Sequence, residues 1–346
     1  MIKVAISGAG AIAERAHLPA LKSIAGVQVT AIQSRTREKA ERVASALWPD
    51  AASRPRTYAN FDEMLERERP DAVGIFTPNH LHCEYTLKAL AAGAHVLVEK
   101  PMAPTVAEAR QMVGAAAKAK RVLMVAMQRR YGALERIVKE AVAGGAIGVP
   151  HFIRARLSHG GPESWAPGQT WFVSPEQAGG GATLDLGVHV ADLAIWIMGE
   201  VDSVSGQVGA LEKKIAVDDT GMMLLRFRSG AFGVVEASWS SRPPLSALEI
   251  YGSEGRVMMG YPRLDIAIQR SDGSAVPGFS REEIMSRFDP RDLLAPSRAL
   301  VANFADAING RATPSPDGVD GMRAIETIEA CYRSSQSGAR IKLPLE

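Results

Sequence analysis

The chain has 346 residues, of which 46% are hydrophobic and 23% charged, with 40 Lys+Arg against 38 Asp+Glu. That length favours two domains, each large enough to bury a core, and the composition excludes a disordered or low-complexity chain. A formal charge of +2 lacks the basic excess of a dedicated nucleic-acid binder, and two cysteines, Cys83 and Cys331, support no disulfide framework.

The sequence opens on a strand-like run, Met1-Ile2-Lys3-Val4-Ala5-Ile6-Ser7, with no charged leader ahead of it. No apolar run approaches the ~20 residues of a membrane span. The expectation is a cytoplasmic protein acting on a small molecule, with neither membrane nor nucleic acid as partner.

Strand patterns at 3–7, 28–33, 72–76, 95–99 and 122–126 alternate with amphipathic helix patterns at 36–47, 80–92 and 105–119. Strands separated by helix-length segments form right-handed βαβ units on a parallel sheet, hence a doubly wound α/β domain. Beyond Tyr131 the rhythm changes. A helix at 133–143 ends in Gly144-Gly145, a strand follows at 151–157, then a Gly/Pro-rich segment at 158–182 and an apolar helix at 184–198. Strands at 220–227, 231–240 and 248–251 run without intervening helices, and helices at 297–308 and 319–334 close the chain. This order predicts an α+β domain on an antiparallel or mixed sheet, with domains 1–126 and 127–346.

The first turn reads Gly8-Ala9-Gly10-Ala11-Ile12-Ala13, a G-x-G-x-x-G/A pattern between strand and helix. Its glycines let the backbone approach a pyrophosphate at a helix N-terminus, so Gly8, Gly10, Ala11 and Ile12 are candidate cofactor contacts. The second strand ends in Gln33-Ser34-Arg35-Thr36-Arg37. A carboxylate at Ser34 would bind the ribose hydroxyls of NAD; Ser34 with Arg35 suits the 2′-phosphate of NADP, though a solvated basic helix start has the same composition. NADP(H) is the preferred cofactor, with NAD(H) as the other possibility.

Two further strand ends, Thr77-Pro78-Asn79-His80-Leu81-His82 and Glu99-Lys100-Pro101, converge on the same sheet edge. They add Thr77, Pro78, Asn79, His82, Glu99 and Lys100 to the cofactor set. Lys100 is the candidate acid/base, its backbone restricted by Pro101. Two histidines, His80 and His82, without clustered ligands do not make a metal site, and no metal is expected.

In the helix at 184–198 the ionisable residues Asp185, His189 and Asp192 fall at offsets of four and three, one stripe of an otherwise apolar surface. Either a buried network or a polar cavity satisfies such a stripe; in a cavity His189 is placed to exchange a substrate proton, with Asp192 in support. The 158–182 segment is long enough to be a binding loop, where Trp165, Trp171, His159, Glu163 and Gln169 could line a pocket.

The run from Thr77 to Pro101 and the run Gly179-Gly180-Gly181-Ala182-Thr183-Leu184-Asp185-Leu186-Gly187-Val188-His189-Val190-Ala191-Asp192 resemble the two signatures of the Gfo/Idh/MocA oxidoreductases. The resemblance continues through Asp218-Asp219 and Tyr251-Gly252-Ser253-Glu254-Gly255. It implies a Rossmann domain plus an α/β domain with a large open, mostly antiparallel sheet that binds substrate and pairs copies into dimers or tetramers. It also implies hydride transfer between NAD(P) and a sugar, polyol or related compound. By that resemblance Lys100 is the catalytic lysine, with a cis bond to Pro101. Asp185 and His189 contact the reacting hydroxyl, and Arg130 approaches the nicotinamide end of the cofactor. Trp171-Phe172 stands where NADP-dependent relatives often carry Trp-Arg. The same scaffold also hosts glycosidases that work by transient oxidation, and non-catalytic regulators.

Overall fold

The computed structural model describes residues 1–261 and 265–346, which divide into two compact units. The first comprises 1–128 and 294–322, the second 129–293 and 323–346.

The first unit carries β1 (Ile2–Ser7), β2 (Val27–Gln33), β3 (Arg56–Tyr58), β4 (Ala72–Ile75), β5 (His95–Val98) and β6 (Leu123–Val125). They form one parallel sheet in the order β3-β2-β1-β4-β5-β6. β4 is buried at every residue and β1 at all but one, the pattern of strands covered by helices on both faces. Helices start where the sequence supplies caps: the side chains of Asn60 and Thr105 accept the backbone N–H of Glu63 and Glu108. The strand order reverses between β1 and β4, and ligand crevices open at such a switch point, outside the carboxyl ends of the strands.

The boundary drawn after Ala126 needs one correction, because residues 294–322 return to the first unit. β6 would otherwise be a bare edge. Instead Val125 N donates to Pro316 O at 3.1 Å, and Met124 bridges Asp317. Gly318 and Gly321 sit so close to Leu123 and Val125 that a Cβ on either would collide.

The second unit has an eight-stranded sheet of β7 (Pro150–Ser158), β8 (Val201–Gly209), β9 (Thr220–Phe227), β10 (Phe232–Ser238), β11 (Leu245–Gly252), β12 (Gly255–Tyr261), β13 (Asp265–Arg270) and β14 (Ile341–Lys342). Its order is β13-β12-β11-β7-β10-β9-β8-β14, antiparallel except for the β7–β10 pair. β9 alternates strictly between buried and open residues, as a sheet with one covered face must. Helix Gly187–Met198 packs against β7 and β10. The single helix expected at 184–198 is two, Ala182–Asp185 and Gly187–Met198, broken at Leu186. Asp218 holds the first of them from outside, its carboxylate accepting Gly181 N at 2.9 Å and Thr183 N at 2.7 Å. No single described helix is long and apolar enough to cross a membrane.

Candidate active site

The turn after β1 is closed at one of its glycines and open at the other. Gly8 adopts φ +102°, and a Cβ there would stand 2.2 Å from Phe76 O, so the β1 and β4 ends touch through a residue without a side chain. A Cβ on Gly10, by contrast, would meet nothing within 4 Å. Ala11 is half-buried, and Ile12 is open to solvent. At the β4 end the Thr77 hydroxyl is buried with no hydrogen-bond partner among the described residues. An open glycine, an unsatisfied hydroxyl and a helix start together fit the phosphates of a dinucleotide. Pro78 is half-buried beside them and Asn79 buried.

At the end of β2 the polar groups divide by direction. Gln33 turns inward, accepting from Ser7 Oγ at 2.7 Å and donating to Ala59 O at 2.9 Å. Ser34 is half-buried, Arg35 is exposed, and Arg37 pairs with Glu41 at 3.0 Å. Among the described residues no carboxylate pairs with Arg35, and none stands at the strand end.

Lys100 follows β5 half-buried, with a cis bond to Pro101. Glu99 departs from its expected place as a cofactor contact. Its carboxylate is buried, one oxygen 2.5 Å from His17 Nε2 and the other accepting the Lys100 backbone N–H at 3.0 Å. Burial alone would raise this carboxyl's pKa; the hydrogen bond from His17, then the charges of His17 and Lys100, bring it below the ordinary value.

His82 departs too. It is wholly buried, its ring spanning Pro101 O at 2.9 Å and Thr77 O at 2.8 Å, and burial pushes its pKa down. It is a strut between two strand ends rather than a ligand-facing group. His17 was not among the sequence candidates. Its one signal is Pro19, which lacks a backbone N–H and follows closely on a wide π-turn at Ala13–His17 in a helix that continues to Ser23.

In the second unit two members of the polar stripe have partners outside it. Asp185 is buried, its Oδ2 accepting the Trp239 indole N–H at 3.2 Å. Residues 181–195 are buried throughout except at His189. Asp192 is buried and takes the Arg130 guanidinium in two hydrogen bonds of 2.8 and 2.6 Å. Arg130, expected near the nicotinamide, is 5% exposed and committed to this pair, with its guanidinium carbon 5.8 Å from the Trp196 ring.

The 158–182 segment folds over an aromatic cluster. Trp171 stacks on Phe172 at 3.7 Å and Trp165 meets it edge-on at 4.9 Å. Trp239 and Leu186 lie in the same cluster. His159 Nδ1 accepts Gly161 N at 2.9 Å within the loop, Glu163 pairs with Lys213 outside it at 2.8 Å, and Gln169 is exposed. Among the described residues no three His, Cys, Asp or Glu side chains gather as metal ligands would.

Residues 2–127 match the oxidoreductase family with the NAD-binding Rossmann fold, and residues 136–258 match the GFO/IDH/MocA C-terminal domain. The chain is 30% identical to the 1,5-anhydro-D-fructose reductase of Ensifer adhaerens over 335 residues, covering 96% of this chain and 95% of the reductase. It is 26% identical to the NADP(+)-linked D-xylose 1-dehydrogenase of Haloarcula marismortui, over 99% of this chain and 93% of that enzyme. Among solved structures, the WlbA dehydrogenase of Bordetella pertussis in complex with NADH and UDP-GlcNAcA superposes with a TM-score of 0.86 at 26% identity, covering 100% of this chain and 98% of that one. Matched along nearly its whole length, the chain belongs to the GFO/IDH/MocA oxidoreductases and carries their NAD-binding Rossmann domain.

Proposed function

We propose that this oxidoreductase prefers NADP(H) and moves a hydride between the nicotinamide and the alcohol/carbonyl pair of a sugar, polyol or related compound. One observation carries the cofactor reading: β2 ends in half-buried Ser34 and exposed Arg35, with no carboxylate to repel a 2′-phosphate. The carbohydrate reading is supported by the relatives, whose names specify an anhydrofructose and a xylose.

A bound nicotinamide supplies the hydride acceptor or donor. The Gly8–Gly10 turn and the Thr77 hydroxyl hold the phosphates, flanked by Ala11, Ile12, Pro78 and Asn79. Lys100 removes the hydroxyl proton in oxidation and returns it in reduction. Asp185, fixed by Trp239, orients the substrate so that its reacting hydroxyl meets Lys100, and His189, the open residue of a buried stretch, shares the proton exchange. Trp165, 37% exposed, offers an indole face to a sugar ring, with Trp171 behind Phe172 in the same cluster. Copies of the chain associate through the open face of the second sheet, where Met222 and Leu224 of β9 and Phe232 of β10 stand 50–56% exposed.

Turnover of a panel of aldoses, polyols and anhydrosugars by wild type, Lys100→Ala and His189→Ala tests the assignment. Each variant is expected to lose about 10²–10⁴-fold in kcat while still binding dinucleotide. Full turnover by both would sink it. Release of free sugar from a glycoside without net cofactor change would instead mark transient oxidation.

A further inference from the structure

The Glu99 carboxylate touches the backbone of Lys100, and the group that holds it comes from a distant part of the chain. His17 is wholly buried, stacked on Phe76 with ring centroids 4.0 Å apart. Its Nε2 lies 2.5 Å from Glu99 Oε1, while its Nδ1 is buried with no hydrogen-bond partner among the described residues. Glu99 is its nearest polar partner; Gln128 Nε2 lies 3.5 Å from the same ring nitrogen. Gln128 stands as a weaker second donor, 3.4 Å from the same oxygen. The other carboxylate oxygen, Oε2, accepts the Lys100 N–H at 3.0 Å.

A buried carboxylate has few rotamers open to it once both oxygens are engaged. One end of this one is fixed by a ring locked between Phe76 and the π-turn, and the other end fixes the peptide from which the Lys100 side chain departs. We infer that His17 is a positioning residue: by donating Nε2–H to Glu99 it holds that carboxylate against the Lys100 backbone and so aims the lysine. This rests on the proposal above that Lys100 moves the proton, since the clamp matters to catalysis only if it does.

The groups facing Glu99 are His17 from the first helix, Lys100 beside it, His82 from helix His82–Ala91 and Gln128 after β6. Removing the His17 donor takes away the hydrogen bond that opposes burial, so the Glu99 carboxyl would titrate at higher pH. Below that pH it becomes a neutral acid and the clamp weakens. The sign is therefore definite: the acid limb of the rate profile moves to higher pH when the donor is lost.

The test compares His17→Phe, which keeps a ring against Phe76 but has no donor, with His17→Gln, whose amide restores one. Three readouts are taken: kcat and KM against pH; NADPH binding; and the rate of Lys100 acylation by succinimidyl acetate in the cofactor-free protein, read by peptide mass spectrometry. For His17→Phe the expected results are a 10–100-fold fall in kcat at pH 7 and KM and NADPH affinity within about threefold of wild type. The acid limb should move upward and Lys100 should acylate at least threefold faster, with His17→Gln recovering most of each. A loss uniform across pH, or His17→Phe and His17→Gln behaving alike, overturns the inference. If wild type turns over no sugar or polyol, the functional reading falls, and the acylation rates alone decide whether His17 governs Lys100.

Discussion

Two glycines separated by one residue have opposite reasons to lack a side chain. At Gly8 the protein itself forbids a Cβ, through φ +102° and the Phe76 carbonyl 2.2 Å away; at Gly10 the space is open. Gly8→Ala should therefore cost about 2–4 kcal/mol, from the positive φ and the overpacking together. Gly10→Ala should leave the melting temperature within a degree or two and weaken dinucleotide binding at least tenfold. Thermal melts run beside NADPH titrations separate the two, and equal destabilisation by both would contradict the reading of Gly10 as ligand space. Asp219 gives a residue-scale test in pH. Burial opposes its charge, but the backbone N–H groups of Leu211, Lys213 and Glu212, with the Thr220 hydroxyl, bring its pKa down to about 2. A carboxylate with a depressed pKa stabilises the fold above its unfolded value near 4, and that contribution is lost as pH falls toward 2. Asp219→Asn should then cost about 2 kcal/mol at neutral pH, with the gap to wild type closing between pH 4 and pH 2 in denaturant titrations.

At the scale of the element, what the sequence made legible was whatever is encoded locally. The apolar runs of β1, β2, β4 and β5, separated by helix-length segments, were enough to place four strand ends on one edge of a parallel sheet, and the structure orders those strands side by side. What escaped was set by partners far along the chain. The break at Leu186 follows from Asp218 holding the preceding turn, a contact across 35 to 37 positions. His17 meets Glu99 across 82 positions, and Arg130 meets Asp192 across 62, so no spacing rule could reveal either. The stripe of Asp185, His189 and Asp192 shows in the sequence as polar side chains in an apolar helix region, but Trp239, bonded to Asp185, and Arg130, bonded to Asp192, lie outside it. β3, three residues long, shows no periodicity at all.

At the scale of the whole molecule, the chain does not divide once into a first and a second half. Its return at 294–322 covers β6, an economy visible only when the edge strand has been identified. The open face of the second sheet makes a further prediction. Val234 of β10 pairs with Leu224 of β9, next to exposed Met222 and Phe232, so the apolar strip is continuous across the two strands. Leu224→Arg with Phe232→Glu should lower the mass found by light scattering to that of one chain, with the melting temperature reduced but folding retained. An unchanged mass would remove this face from the association.

The cofactor reading decides where the search for a substrate begins, and one titration tests it most directly. Calorimetry of the purified protein with NADPH and NADH, repeated on Arg35→Ala, measures the worth of the β2 end. A charge-assisted bond of about 1.5–3 kcal/mol to the 2′-phosphate predicts NADPH binding roughly ten- to a hundredfold tighter than NADH, with most of that advantage lost in the variant. NADH binding as tightly as NADPH, or tighter, would contradict the account.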